Sequence, residues 1–274
     1  MTDTRSKQIY DLRGNPIVAV NPETEVALGM LEGHNAERKF GFNLDIDAGT
    51  EETIWAASNR MVILPQGTAE TMSLVSTSAD DTAAGTGART VRVIGVDINF
   101  KMIEEIVILA GLTPVVTAKA FFMVNRMRVA SAGSGKKNVG AIIATATTAA
   151  TVQAQVPIGY NTTQKMIFCV PAACRVVIQG FVISATKLSG GALPRVTARL
   201  HEHVFNPASS NFGTDAIIFE ESFDTAVRGA IDDPSIRNIA FLSGTVLEWT
   251  AITDTANTIV FGTAELLFVN DIRP

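Results

Sequence analysis

From about residue 43 onward the order of apolar and polar positions is that of short β-strands separated by turns, more than ten of them, with almost no helix. From about Asn43 the pattern predicts short strands at residues 53–57, 61–64 and 70–77. The turn cluster at 78–82 and the loop Gly85-Thr86-Gly87 then precede a clean alternation, with Val91 and Val93 inward and Arg92 outward. Residues 103–110 form the next predicted strand, with Glu104 and Glu105 at its start, and 111–114 a turn. Residues 115–130 read as one long strand. It sets Phe121, Met123, Asn125 and Met127 on one side and Phe122, Val124, Arg126 and Arg128 on the other. A connection at 131–138, a strand at 139–147 and a turn at 155–163 follow. Further strands are predicted at 196–205, 216–223, 245–252 and 258–269, the last two as a pair joined by 253–257. Polar loops are expected at 189–191 and 206–211, and a turn at 230–235.

The centre of the pattern is residues 164–187, two β-branched apolar runs around Pro171. They read as a hairpin whose strands are apolar on both faces, so a second sheet or another subunit must cover them. Residues 1–45 differ: charged positions and the breakers Gly14-Asn15-Pro16, Asn21-Pro22 and Gly29 predict an extended arm, with a helical turn or two at 22–28. Such an arm buries too little surface alone, and a neighbouring chain is its simplest support. The predicted fold is all-β, an antiparallel β-sandwich of jelly-roll type behind that arm. Its body, residues 46–274, is either one unit or two lobes divided near residue 160. There is no repeat of fixed period.

Composition agrees with packed sheet: the chain is 47% hydrophobic but only 7% aromatic. The net charge of -5 comes with no basic block, which argues against a nucleic-acid partner. No signal-peptide pattern and no run of about 20 apolar residues is visible, so the expectation is a soluble protein made in the cytosol, with no membrane partner. Cys169 and Cys174 flank the central connection; buried thiols are the preferred reading over a disulfide.

Candidate chemistry is sparse. Around Ser134-Gly135-Lys136-Lys137 a phosphate loop fails at two fixed positions, and Gly85-Thr86-Gly87-Ala88-Arg89 lacks the helix a dinucleotide site needs. His201-Glu202-His203 sets two imidazoles on one strand face, a metal-chelating spacing, but further ligands are not in evidence and a solvated polar face is preferred. Neither a nucleophile elbow nor a carboxylate pair on one face is found, so the chain is read as no enzyme, without metal or cofactor. Arg126 and Arg128 are candidates to grip carboxylates of a neighbouring subunit, such as Glu104 or Glu105, against the preferred reading of two exposed side chains on an outer strand, and Phe181 and Ile183 are candidate apolar subunit contacts.

Several short motifs occur in a definite order: residues 81–91 with 93–97, Leu112-Thr113-Pro114-Val115, Asn125-Arg126-Met127, 130–134, Asn138-Val139-Gly140, Val170-Pro171-Ala172 and Val269-Asn270-Asp271. Together they resemble a family of virion structural proteins of tailed bacteriophages, particularly of marine and cyanobacterial hosts. Ala173 stands where that family's turn would carry Gly, and the arm is unmatched. The resemblance implies a homo-oligomeric virion component assembled in the host cytoplasm. Within it, an auxiliary head protein that decorates the shell and contacts the major capsid protein is favoured over a tail or baseplate component. A receptor- or carbohydrate-binding tip is the alternative of a different class. A trimer is the expected assembly, because closed rings of sandwiches commonly build shells.

Overall fold

The structure, a computed structural model, describes Val26 and residues 33–187, 193–204, 214–226, 230–231 and 239–270. Among these residues it is all-β, with four antiparallel sheets. Sheet I has the order β1 (His34–Ile46), β17 (Thr258–Asn270), β11 (Cys174–Lys187) and β14 (Ala230–Ile231), with β15 (Ala240–Phe241) also on β11. Sheet II runs β10 (Ile167–Cys169), β16 (Val246–Thr253), β12 (Arg195–Val204) and β13 (Thr214–Asp224), with β2 (Glu52–Thr53) also on β16. Sheet III runs β6 (Val115–Phe121), β3 (Glu70–Ser76), β8 (Ile142–Ala146) and β9 (Val152–Val156). Sheet IV runs β5 (Met102–Ile108), β4 (Ala88–Val96) and β7 (Met123–Ala132).

Strand periodicity sorts side chains into two cores. Sheets I and II enclose one, built on Phe168, Phe181, Leu200, Phe241, Trp249 and Leu266. Sheets III and IV enclose the other, with Met72, Leu74, Val91, Val93, Phe121 and Phe122. β10 lies between them, because alternate side chains of one strand point opposite ways. Phe168 enters the first core while Ile167 and Cys169 enter the second. All three are buried, so for this strand two apolar faces do mean burial on both sides.

Pairing departs from the sequence reading at three places. Residues 164–187 are not a hairpin: β10 pairs with β16 in sheet II and β11 with β17 in sheet I. The Pro171 connection turns the chain from one sheet to the facing one, with Ala173 at φ 58°. The other face of β11 is only half-buried, and Val182 is 41% exposed. Likewise β16 and β17 do not pair with each other, and Asn257 at φ 57° turns the chain between sheets. The long strand at 115–130 is two strands: β6 joins sheet III, β7 joins sheet IV, and Phe121 to Val124 are buried at the corner.

Residues 34–45, expected in the arm, belong to β1, paired along its length with β17. The rest of the expected arm lies outside the described residues except Gly33 and Val26, which is buried against β1 and β17. The loops at 189–191 and 206–211 also fall outside them. Residues 61–64 form no strand, β9 was not anticipated, and residues 230–231 are a strand rather than a turn. No helix is long and apolar enough to cross a membrane among the described residues.

Candidate functional site

Charged residues concentrate where the outer face of sheet II meets the 51–60 segment and along the seam between the two cores. On β12, period-two spacing brings Arg199, His201 and His203 to one face, and both imidazoles are buried. Each ring meets acids from distant segments. His201 Nδ1 is 2.8 Å from Asp215 and its Nε2 is 2.6 Å from Glu51. His203 Nε2 lies 3.0 Å from Glu248. The rings stack with centroids 6.0 Å apart. Arg60 reaches Glu248 at 3.3 Å and Asp215 at 3.5 Å, while Arg199 joins Glu51 at 3.0 Å to Glu220 at 2.6 Å.

Burial would raise the pKa of Glu248, but the hydrogen bond from His203, the Arg60 charge and the Thr53 hydroxyl hold it below the ordinary carboxylate value. The same contest leaves Glu51 low, with Thr250 and His201 donating to it, and Asp215 low beside His201 and Arg60. These histidines are therefore neither a solvated strand face nor a converging metal set. Among the described residues no group of three or more His, Cys, Asp or Glu side chains is placed to hold a metal ion. Asp215 is 14 residues from His201 on the next strand, but Glu51 and Glu248 are 150 and 45 residues from the rings they engage, beyond the reach of local spacing.

The seam is closed by two buried lysines. Lys39 on β1 donates to the Asn125 carbonyl at 2.7 Å, and Lys165 donates to the carbonyls of Val124 at 2.7 Å and Gln153 at 2.8 Å. Desolvation lowers Lys39 to about 8 and takes Lys165 well below the ordinary lysine value. The Asn125 amide pairs with both backbone groups of Cys169 at 2.9 Å, tying β7 to β10.

The residues expected at a subunit contact scatter. Phe181 and Ile183 lie inside the first core, Phe181 edge-on to Phe219 at 5.0 Å, and present no surface to a neighbour. Arg126 is engaged within the chain, 2.8 Å from Glu37 and 2.7 Å from the Arg38 carbonyl. Glu104 lies 3.6 Å from Arg92, and Glu105 accepts from the amides of Ala118 and Lys119 at 2.8 Å. Arg128 alone of the set is exposed with no ion pair or side-chain hydrogen bond among the described residues. Cys169 and Cys174 are free thiols.

No known protein family matches the chain, and no curated protein does. Among solved structures, the D431N mutant VP2 protein of infectious bursal disease virus, in derived T=1 particles, aligns over 93% of this chain and 80% of its own at 9% identity. The TM-score of 0.12 carries no argument about fold or function.

Proposed function

We propose that this chain is a structural subunit of a tailed-bacteriophage virion whose larger lobe is a jelly roll carrying the second core as an insertion. The observation that supports this most is the nesting of strand pairs. Taking β1, β10, β11, β12, β13, β14, β16 and β17 in chain order, the first pairs with the last, the second with the seventh, the third with the sixth and the fourth with the fifth. Such nesting is what a long antiparallel hairpin gives when it is rolled into two facing sheets, the double-sheet architecture used by viral capsid and lectin domains. The segment carrying β3 to β9 enters between the first two strands of that roll.

Within the virion, the favoured role is an auxiliary head protein that self-associates, with a trimer as the expected assembly, and contacts the major capsid protein. The ordered motifs quoted above support the phage assignment. Exposed apolar residues on the second lobe support burial against a partner: Met102, Ile106, Ile108, Leu112 and Val116 are each more than half exposed. A metal-dependent enzyme of the double-sheet class would hold its ligands inside the roll, whereas here that interior is filled by Trp249, Phe168 and Phe181. Sedimentation equilibrium of the purified chain tests self-association. A discrete oligomer that dissociates on Ile106→Asp supports the role, and a monomer at about 100 μM contradicts it.

A further inference from the structure

A groove runs across the outer face of sheet IV to the edge of β1. Phe40, Tyr160, Asn161 and Thr162 line one part of about 330 Å³, Ile94 and Val129 an adjoining part of about 350 Å³, and Arg126 and Arg128 belong to both. Arg92 stands directly opposite Arg128 across the β4–β7 pair. Like charges facing each other across two strands are destabilising unless an anion neutralises them. Arg126 is satisfied by Glu37, and Arg92 has Glu104 at 3.6 Å, but Arg128 has no acid among the described residues. The exposed Lys137, whose stem lies beside Gly159, adds another positive charge nearby.

Beside these cations stands an exposed ring. Tyr160, 52% exposed, packs on Phe42 at 5.3 Å, and Phe42 meets the exposed Phe261 at 6.1 Å. The turn presenting Tyr160 is fixed on both sides. Gly159 has φ 77° and Asn161 φ 59°, and the Asn161 side chain bonds the Asn138 amide and the Lys136 carbonyl, each at 3.0 Å. The backbone presenting the ring is thus held in place before any ligand arrives, which lowers the ordering cost of binding on that side of the groove.

We propose that this groove binds an anionic saccharide, its carboxylate held by Arg128 and Arg92 and a sugar face lying on Tyr160. A guanidinium fork matches a carboxylate bidentately, and an exposed aromatic ring offers an apolar platform for the C–H face of a sugar. A nucleic-acid strand fits less well, since it needs a continuous basic track, and Glu37 and Glu104 interrupt this one.

Calorimetric titration of the full chain tests the assignment, with trigalacturonic acid and N-acetylneuraminic acid as ligands, methyl-esterified trigalacturonate as the neutral control and octathymidylate as a polyanion. The expected result is saturable binding of at least one acid sugar. Arg128→Ala and Tyr160→Ala weaken it about tenfold or more, Tyr160→Phe retains it, and the ester does not bind. Arg128→Ala should not lower the melting temperature, since it removes one of two facing like charges, and this separates lost binding from lost fold. Absence of binding by both acids at millimolar concentration, affinity unmoved by Arg128→Ala, or equal binding of the ester would overturn the proposal. Tighter binding of octathymidylate would reassign the groove to nucleic acid.

Discussion

Replacing Asp81 by alanine should unfold the second lobe preferentially. Its carboxylate is fully buried and accepts four hydrogen bonds: from Ser76 Oγ at 2.6 Å, Ala88 N at 2.7 Å, Gly140 N at 2.8 Å and Val139 N at 2.9 Å. These donors come from the end of β3, the start of β4 and the approach to β8, so one side chain joins three segments. Alanine leaves three amides without their acceptor, two of those bonds being fully buried, while the Ser76 hydroxyl can rotate. At roughly 1–3 kcal/mol for each orphaned donor, reduced for relaxation, the loss is about 4 kcal/mol. That is a large part of the roughly 5–15 kcal/mol that stabilises a typical domain. The two tryptophans make the assay specific, because Trp55 lies in the second core and Trp249 in the first. Urea unfolding followed by fluorescence in Trp249→Phe and Trp55→Phe backgrounds reads each lobe separately. The Trp55 signal should move by about 4 kcal/mol and the Trp249 signal by much less. A change below about 1 kcal/mol at Trp55, or equal shifts at both, would refute the reasoning.

Lys39 folds with its pKa lowered to about 8, so its burial penalty is felt below that pH and relieved as pH rises toward the ordinary lysine value; wild-type stability should gain roughly 3 kcal/mol relative to Lys39→Met between pH 8 and 10.5, and parallel pH profiles from denaturant titrations would count against this. Glu51, Asp215 and Glu248 have lowered pKa values in the fold, so their contribution is complete above the ordinary carboxylate range and is lost as pH falls through it. Thermal melts should therefore drop steeply below about pH 4.5, and less steeply in Glu248→Gln, which melts lower at pH 6. Iodoacetamide should label Cys174 alone in the folded protein, since Cys169 is buried and its thiol pKa is pushed up; intact mass showing two adducts, or a loss of two hydrogens, would contradict this.

Single strands were legible where one face is dry. The alternation of Val91 and Val93 against Arg92 places β4 correctly, and β3 alternates as its sequence suggests. Pairing was not legible. Two apolar runs joined by a short connection look alike whether the strands pair or turn between facing sheets, and the runs around Pro171 and around residues 253–257 both do the latter. β1 was hidden because its buried face carries Lys39 and Asn43, polar residues whose partners, Asn125 and Glu52, come from other segments. Spacing put His201 and His203 on one face, but Glu51 and Glu248 reach them only through the folded topology. The Arg126–Arg128 face was anticipated on a single strand; Arg92, Tyr160 and Phe40 join it through cross-strand register and a turn that no local pattern encodes.

The measurement that bears most directly on the virion assignment is copy number per particle, by quantitative mass spectrometry of purified phage against its major shell protein. The head-decoration role predicts hundreds of copies in fixed ratio to the shell. A dozen or fewer would move the chain to a vertex or the tail, and its absence from purified particles would contradict the structural role itself.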